Sequence, residues 1–185
     1  DQNRLWRNDG AGTDGWTFTD VSSESGTGFF MNTMGIAVGD FDRDLDFDVA
    51  LSNVGENKLL RNNGDGAFVD EALALGVDRP FQQAGSISVT WGTAFYDFNL
   101  DGWEDLYLPA GNIIQREGAP LQPNGLYVND GSGKRFLDLS APSGADDPSD
   151  SKGVAYADYD SDGDIDLFVV NEGGTPRLYE NVTPS

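Results

Sequence analysis

The run Asp158-Tyr-Asp-Ser-Asp-Gly-Asp-Ile-Asp166 sets five aspartates at alternate positions and leads at once into the apolar Leu167-Phe-Val-Val170. Carboxylates crowded this closely repel one another, so an ordered role for them requires a cation in their midst. The run recurs as Asp97-Phe-Asn-Leu-Asp-Gly-Trp-Glu-Asp105 and as Asp40-Phe-Asp-Arg-Asp-Leu-Asp-Phe-Asp48. Three copies within 185 residues make this a repeat architecture, the tightest constraint the sequence places on its fold.

The surroundings repeat as well. Gly35, Gly92 and Gly153 stand at one fixed distance before the three acidic runs, and Ala37, Ala94 and Ala155 at another. Small residues at fixed places suggest a strand pressed closely against its neighbours. Behind the runs come Val49-Ala-Leu51, Leu106-Tyr-Leu108 and Leu167-Phe-Val169, rich in strand formers. Each copy therefore reads strand A, acidic loop, strand B.

A second motif alternates with the first: Asn3-Arg-Leu-Trp-Arg-Asn-Asp-Gly10, Asn57-Lys-Leu-Leu-Arg-Asn-Asn-Gly64 and Asn124-Gly-Leu-Tyr-Val-Asn-Asp-Gly131. Each is a short strand C running into an Asn/Asp-Gly turn, a strong hairpin signal. Strand D follows with Trp16-Thr-Phe18-Thr-Asp20, Phe68-Val-Asp70 and Phe136-Leu-Asp138, and a fourth strand C begins at Pro176-Arg-Leu-Tyr-Glu-Asn181.

The element order is thus C-D, A-B-C-D, A-B-C-D, A-B-C. It predicts an all-β fold built from the antiparallel four-stranded blades of a β-propeller, about three of them, incomplete at both ends. The expected boundaries within a single 1–185 propeller segment are a partial C-D blade over 1–32, blades over 33–88 and 89–150, and a partial A-B-C blade over 151–185. A β-solenoid is the rival, though its turns are shorter and its strands parallel. Helix is indicated only near Glu71-Ala-Leu-Ala-Leu75. Segments 78–88 and 112–123 have no counterpart in the repeat and read as surface loops, where binding functions concentrate.

Calcium takes six to eight oxygens in irregular geometry, which suits alternating carboxylates on a tight loop. In the third copy the side chains of Asp158, Asp160, Asp162 and Asp166 are candidate ligands, with the carbonyl of Asp164 and a reversal at Gly163. The second copy offers Asp97, Asn99, Asp101 and Asp105, with the carbonyl of Trp103 and a reversal at Gly102. The first offers Asp40, Asp42, Asp44 and Asp48, with the carbonyl of Asp46. Leu45 stands where the other copies have glycine, so it must adopt a left-handed backbone or divert the loop. Two or three calcium ions are expected. No helices flank these loops, which argues against an EF-hand.

Composition narrows the function. The 32 acidic and 11 basic residues give a net charge of −21, which repels nucleic acid and anionic membranes alike. The 11 Phe, 6 Tyr and 4 Trp argue against disorder. With no Cys and no His, thiol catalysis, imidazole acid–base chemistry and a zinc site built on either residue are excluded. Millimolar calcium outside cells suits such loops, so an extracellular or cell-surface location is expected. No stretch is long enough to span a membrane. The chain opens at Asp1 without a signal peptide, as in a mature, trimmed or excised protein.

The pattern Asp-x-Asp/Asn-x-Asp-Gly-x-x-Asp between two strands, with Asn-x-Leu-x-x-Asn-x-Gly and Phe-x-Asp after it, resembles the FG-GAP/VCBS repeats of integrin-α-like β-propellers. The resemblance covers nearly the whole chain, Leu45 being its departure. It implies that calcium braces each loop between strands A and B. Such propellers occur in adhesins, integrin ectodomains, lectin-like modules and non-catalytic parts of polysaccharide-degrading enzymes. The expected role is therefore a calcium-stabilised extracellular scaffold for adhesion or assembly. Its partner would be a protein or further copies of itself joined head-to-tail by completing strands. The alternative is a carbohydrate-binding module, or a non-catalytic part of a polysaccharide-active enzyme, with Trp6, Trp16, Trp91, Trp103 and Tyr107 available either to stack on sugar or to pack the interior. Asn181-Val-Thr183 is an N-glycosylation sequon. No residue is nominated as catalytic.

Overall fold

Short apolar stretches separated by glycine-bearing turns fold as strands, and turns this short join them antiparallel. The computed structural model describes residues 2–13, 15–78, 87–114 and 117–183. It holds four antiparallel sheets of two, four, four and three strands, consistent with part of a propeller-like array. The first sheet pairs β1 (Trp6–Gly12) with β2 (Gly15–Asp20). The second runs in order through β3 (Ile36–Gly39), β4 (Asp48–Leu51), β5 (Lys58–Asn62) and β6 (Phe68–Asp70). The third repeats this plan with β7 (Ala94–Tyr96), β8 (Asp105–Leu108), β9 (Gly125–Asn129) and β10 (Phe136–Asp138). The fourth has β11 (Ser151–Ala157), β12 (Asp166–Asn171) and β13 (Arg177–Tyr179).

A helical turn follows the last strand of each four-stranded sheet: α1 (Ala72–Leu75) and α2 (Ser140–Ser143). The first lies where Glu71-Ala-Leu-Ala-Leu75 suggests helix. The second gives no sequence signal, since Ser-Ala-Pro-Ser carries no apolar periodicity, and Gly144 closes it in a left-handed conformation as Gly76 closes the first. Most of the 78–88 segment, along with Arg116, lies outside the described residues.

Register explains how the sheets stack. Ala37, Ala50 and Leu59 lie opposite one another across three strands, as do Ala94, Tyr107 and Leu126, and Ala155, Phe168 and Leu178. The alternate rows are Val38, Val49 and Leu60; Phe95, Leu106 and Tyr127; and Tyr156, Leu167 and Tyr179. Side chains alternate between faces along a strand, so each row owns one face. The alanine row of the second sheet shares a core cluster with Phe95, Leu106 and Tyr127 of the third. That of the third shares a cluster with Leu167, Val169 and Tyr179 of the fourth.

Two of these faces stay open: Phe168, Val170 and Leu178 are exposed on the fourth sheet, and Ile36 and Val38 on the inner strand of the second, which the two-stranded first sheet has no inner strand to cover. The inner strands β3, β7 and β11 meet at the fixed glycines. A Cβ built on Gly35 would lie 2.3 Å from the Trp91 carbonyl oxygen, and one on Gly92 would lie 3.2 Å from the Val154 nitrogen. The Gly92 N–H donates to the Lys152 carbonyl at 2.9 Å, and the Ser52 hydroxyl to the Trp91 carbonyl. Gly35→Ala should therefore push two sheets apart and destabilise the protein by about 2 kcal/mol, a fall in Tm of roughly 4–8 °C. A thermal melt beside the wild type measures it, and an unchanged Tm contradicts the close approach.

Candidate metal centres

An aspartate that opens a loop can accept hydrogen bonds from N–H groups a few residues on, and that local chemistry folds all three acidic runs alike. Oδ1 of Asp40, Asp97 and Asp158 accepts from the N–H of Asp44, Asp101 and Asp162 at 3.1, 3.0 and 3.2 Å. Oδ2 of the same residues accepts from the N–H of Leu45, Gly102 and Gly163 at 3.1, 2.7 and 3.2 Å. The carboxylates of Asp44, Asp101 and Asp162 in turn accept from the N–H of Asp46, Trp103 and Asp164.

The last aspartate of each run closes the loop from below. Asp48 and Asp105 are wholly buried and Asp166 is 2 % exposed. Their Oδ2 atoms accept from the N–H of Phe41, Phe98 and Tyr159 at 3.2, 3.0 and 3.0 Å. Their Oδ1 atoms accept from the N–H of Asn62, Asn129 and Asn181 at 2.8, 2.9 and 2.8 Å. Burial pushes the carboxyls of Asp48 and Asp105 up to about 7, against the opposing pull of these backbone donors. Partial burial and the charge of Asp44 raise Asp42 as well.

Carboxylate oxygens of Asp40, Asp42 and Asp48 all lie within 4.8 Å of one another, and so do those of Asp158, Asp160 and Asp166. In the middle loop Asn99 stands in the place of Asp42 and Asp160. Its Nδ2 donates to Asp101 Oδ2 at 3.0 Å, and its Oδ1 accepts from the Asp101 N–H at 3.1 Å. Asp44, Asp101 and Asp162 hold the N–H group two residues on, and the side chains of Asp46 and Trp103 lie beside Gly64 and Gly131 in the turn after strand C. Buried Oδ1 atoms of Asp42 and Asp164 have no hydrogen-bond partner, and Asp164 is only 1 % exposed. Buried carboxylate oxygens without a donor are costly unless a cation satisfies them. The donor set is entirely oxygen, which fits a hard cation of the calcium type and not a thiophilic metal.

Leu45 resolves its conflict by taking the left-handed backbone, with φ of 75°, beside Gly102 at 88° and Gly163 at 103°. The loop path is retained and the leucine side chain, 90 % exposed, packs on nothing that would repay the strain. The residue two places earlier is left-handed too in every copy: Arg43, Leu100 and Ser161 at 60°, 58° and 68°. Nothing in those three side chains signals it.

Other functional residues lay hidden in the turn motif. Asn129 Nδ2 donates to the Phe41 carbonyl at 2.8 Å, and Asn181 Nδ2 to the Phe98 carbonyl at 2.7 Å, so each asparagine ties its own loop to that of the preceding sheet. Their recurrence at the end of strand C is the signal the sequence carries, and it is equally that of a turn. Between the first two loops, Glu104 accepts from the Asp40 N–H at 2.7 Å, and the Arg43 guanidinium sits 5.3 Å from the Trp103 ring centroid. Trp103 is therefore half-buried under Arg43 and against Gly133, not a free stacking surface. Tyr107 is fully buried, and Trp91 lies under Lys152 Nζ at 4.2 Å, whereas Trp6 and Trp16 are exposed.

No known family profile matches the chain. It is 34% identical over 153 residues to human cartilage acidic protein 1, 33% over 153 residues to the mouse protein and 32% over 154 residues to that of Xenopus tropicalis. The matches cover 82–83% of this chain and 21–22% of those proteins, so the chain spans about a fifth of the relatives' length. It is distantly related to them.

Two outcomes follow from the loop geometry. Leu45→Gly relieves a left-handed strain of about 1–2 kcal/mol but loosens the unfolded chain, for a net gain of about 0.5–1 kcal/mol and a higher Tm. A lower Tm would show that Leu45 carries a contact the loop needs. The second concerns the ion-free protein. Asp48 and Asp105 hold protons up to about 7 when folded but release them near 3.8 when unfolded, so their contribution to stability falls as pH rises through that window. Melting in chelator should show Tm declining across this range, with a shallower decline in the Asp48→Asn, Asp105→Asn double variant. Equal slopes would contradict the burial effect.

Proposed function

We propose that this chain is a segment of an FG-GAP/VCBS-type β-propeller, braced by calcium in its three acidic loops, that serves outside the cell as a non-catalytic scaffold for protein contacts. The observation that carries this reading is the shared hydrogen-bond geometry of the three loops, with carboxylates converging in the first and third and the donorless buried oxygen of Asp42 in the first. The side chains of Asp40, Asp42, Asp44 and Asp48 would hold one ion, with the Asp46 carbonyl. Asp97, Asn99, Asp101 and Asp105 with the Trp103 carbonyl would hold a second, and Asp158, Asp160, Asp162 and Asp166 with the Asp164 carbonyl a third. Bound calcium supplies the charge neutralisation that lets these loops stay compact in a chain of net charge −21. The relatives' name supports an extracellular setting, since it places those proteins in cartilage, and their acidity is shared here.

Sugar binding is the second reading, favoured by one observation: Trp6, Trp16 and Phe18 are more than half exposed on the first sheet. Loss of glycan-array binding in Trp16→Ala would support it.

Titration calorimetry with calcium tests the leading reading, with two or three ions bound per chain. At a calcium concentration about a hundredfold above Kd, each site adds about 2.7 kcal/mol of stability, so chelation should lower Tm sharply. A melt indifferent to chelator, together with no metal by elemental analysis, would sink it.

A further inference from the structure

The three acidic loops are joined by two junctions that are not built alike. Between the second and third sheets, Glu104 stands next to the buried Asp105 and reaches out of its own loop. Its Oε2 accepts from the N–H of Asp40, which opens the preceding loop, at 2.7 Å. Gly39 leaves room for it, since a Cβ there would lie 2.0 Å from that oxygen. Between the third and fourth sheets the same two positions hold Tyr96 and Ile165, which pack on a shared apolar cluster. The side chain of Ile165 has no acceptor to offer the Asp97 N–H.

Other contacts follow the same division. The Arg43 guanidinium of the first loop covers the Trp103 ring of the second, whereas Leu100 and Asp164 occupy those two positions at the next junction. The bond from Asn129 to the Phe41 carbonyl has its counterpart in the bond from Asn181 to the Phe98 carbonyl, so it does not set the junctions apart. Glu104 does. It is also flanked on both sides by groups assigned above to the second ion, the Trp103 carbonyl and the Asp105 side chain.

We infer that Glu104 is a positioning residue that couples the first two metal centres, so that calcium in the second loop strengthens binding in the first. Ligation at Trp103 and Asp105 fixes the backbone on either side of Glu104, and Glu104 then holds the Asp40 N–H in the arrangement the first loop needs. Coupling of this kind is reciprocal, so the first loop favours the second by the same factor. The hydrogen bond carries it and the charge does not, because a fixed charge between two sites adds to each affinity without making one depend on the other. The third centre, behind Ile165, fills independently. The inference rests on the calcium reading and adds to it an order among the sites.

The test follows backbone amides by two-dimensional NMR as calcium chloride is added to the chelator-treated chain. The N–H groups of Leu45, Gly102 and Gly163 each donate to the aspartate that opens one loop, so each reports its own loop. Asp101→Asn weakens the second loop, and a Gly102 amide that stays still marks the range in which that loop is empty. In this variant the calcium midpoint at Leu45 should rise at least about fivefold, and that at Gly163 less than about twofold. Adding Glu104→Ala to both the parent and Asp101→Asn should cut the Leu45 difference between them to less than about twofold. Glu104→Gln, which keeps the acceptor and loses the charge, should raise the midpoints at Leu45 and Gly102 yet preserve the fivefold difference. A difference that survives Glu104→Ala, a Glu104→Gln chain that behaves like Glu104→Ala, or equal shifts at Leu45 and Gly163 overturns the inference. Three amides that respond to calcium with unlinked midpoints remove the coupling and leave the metal reading standing. Three amides that ignore calcium remove both.

Discussion

The structure depends on three buried carboxylates. Asp48, Asp105 and Asp166 each accept one N–H from the start of the acidic loop and another from the end of strand C. One side chain thereby fixes the entrance of the loop, its exit and the neighbouring strand. Moving an ionised carboxylate into the interior costs several kcal/mol, and two backbone donors offset only part of that. Burial therefore raises Asp48 and Asp105 to about 7, and the hydrogen-bond scaffold holds the shape of the loops.

From these anchors the sheets are joined in sequence. Asn129 and Asn181 reach back to the Phe41 and Phe98 carbonyls, Glu104 caps the Asp40 N–H, and the inner strands touch at Gly35 and Gly92. Polar bonds on the loop side and backbone proximity at the inner edge fix the relation of one sheet to the next. The apolar rows between them supply most of the stabilisation. The open rows of Ile36 with Val38, and of Phe168, Val170 and Leu178, are what the same pattern leaves where no described inner strand stands opposite.

Much of this was legible because it repeats. Three copies of an acidic run and a recurrent asparagine-glycine turn fix element order, antiparallel pairing and the positions at which carboxylates converge. The strained backbone at Arg43, Leu100 and Ser161 was not legible, since an arginine, a leucine and a serine share no chemistry that demands a positive φ. The loop's hydrogen bonds impose it. Nor was the reach of Asn129 across to Phe41, because bonds between distant segments leave no local signature. Trp103 is a related case: its sequence position leaves both stacking and packing open, and Arg43 and Gly133 of neighbouring segments decide that it is covered.

The asparagine ties have a thermodynamic consequence. Among the described residues, Asn129 and Asn181 reach outside their own units only to the unit immediately before, so the array behaves as a row of nearest-neighbour couplings. Cooperativity in such a row is set by the strength of each junction, not by the length of the whole. Loss of order in one unit weakens first the unit it touches, and folding can begin at any unit and spread to its neighbours. Evolution can lengthen a molecule of this kind by duplicating a unit without redesigning the rest.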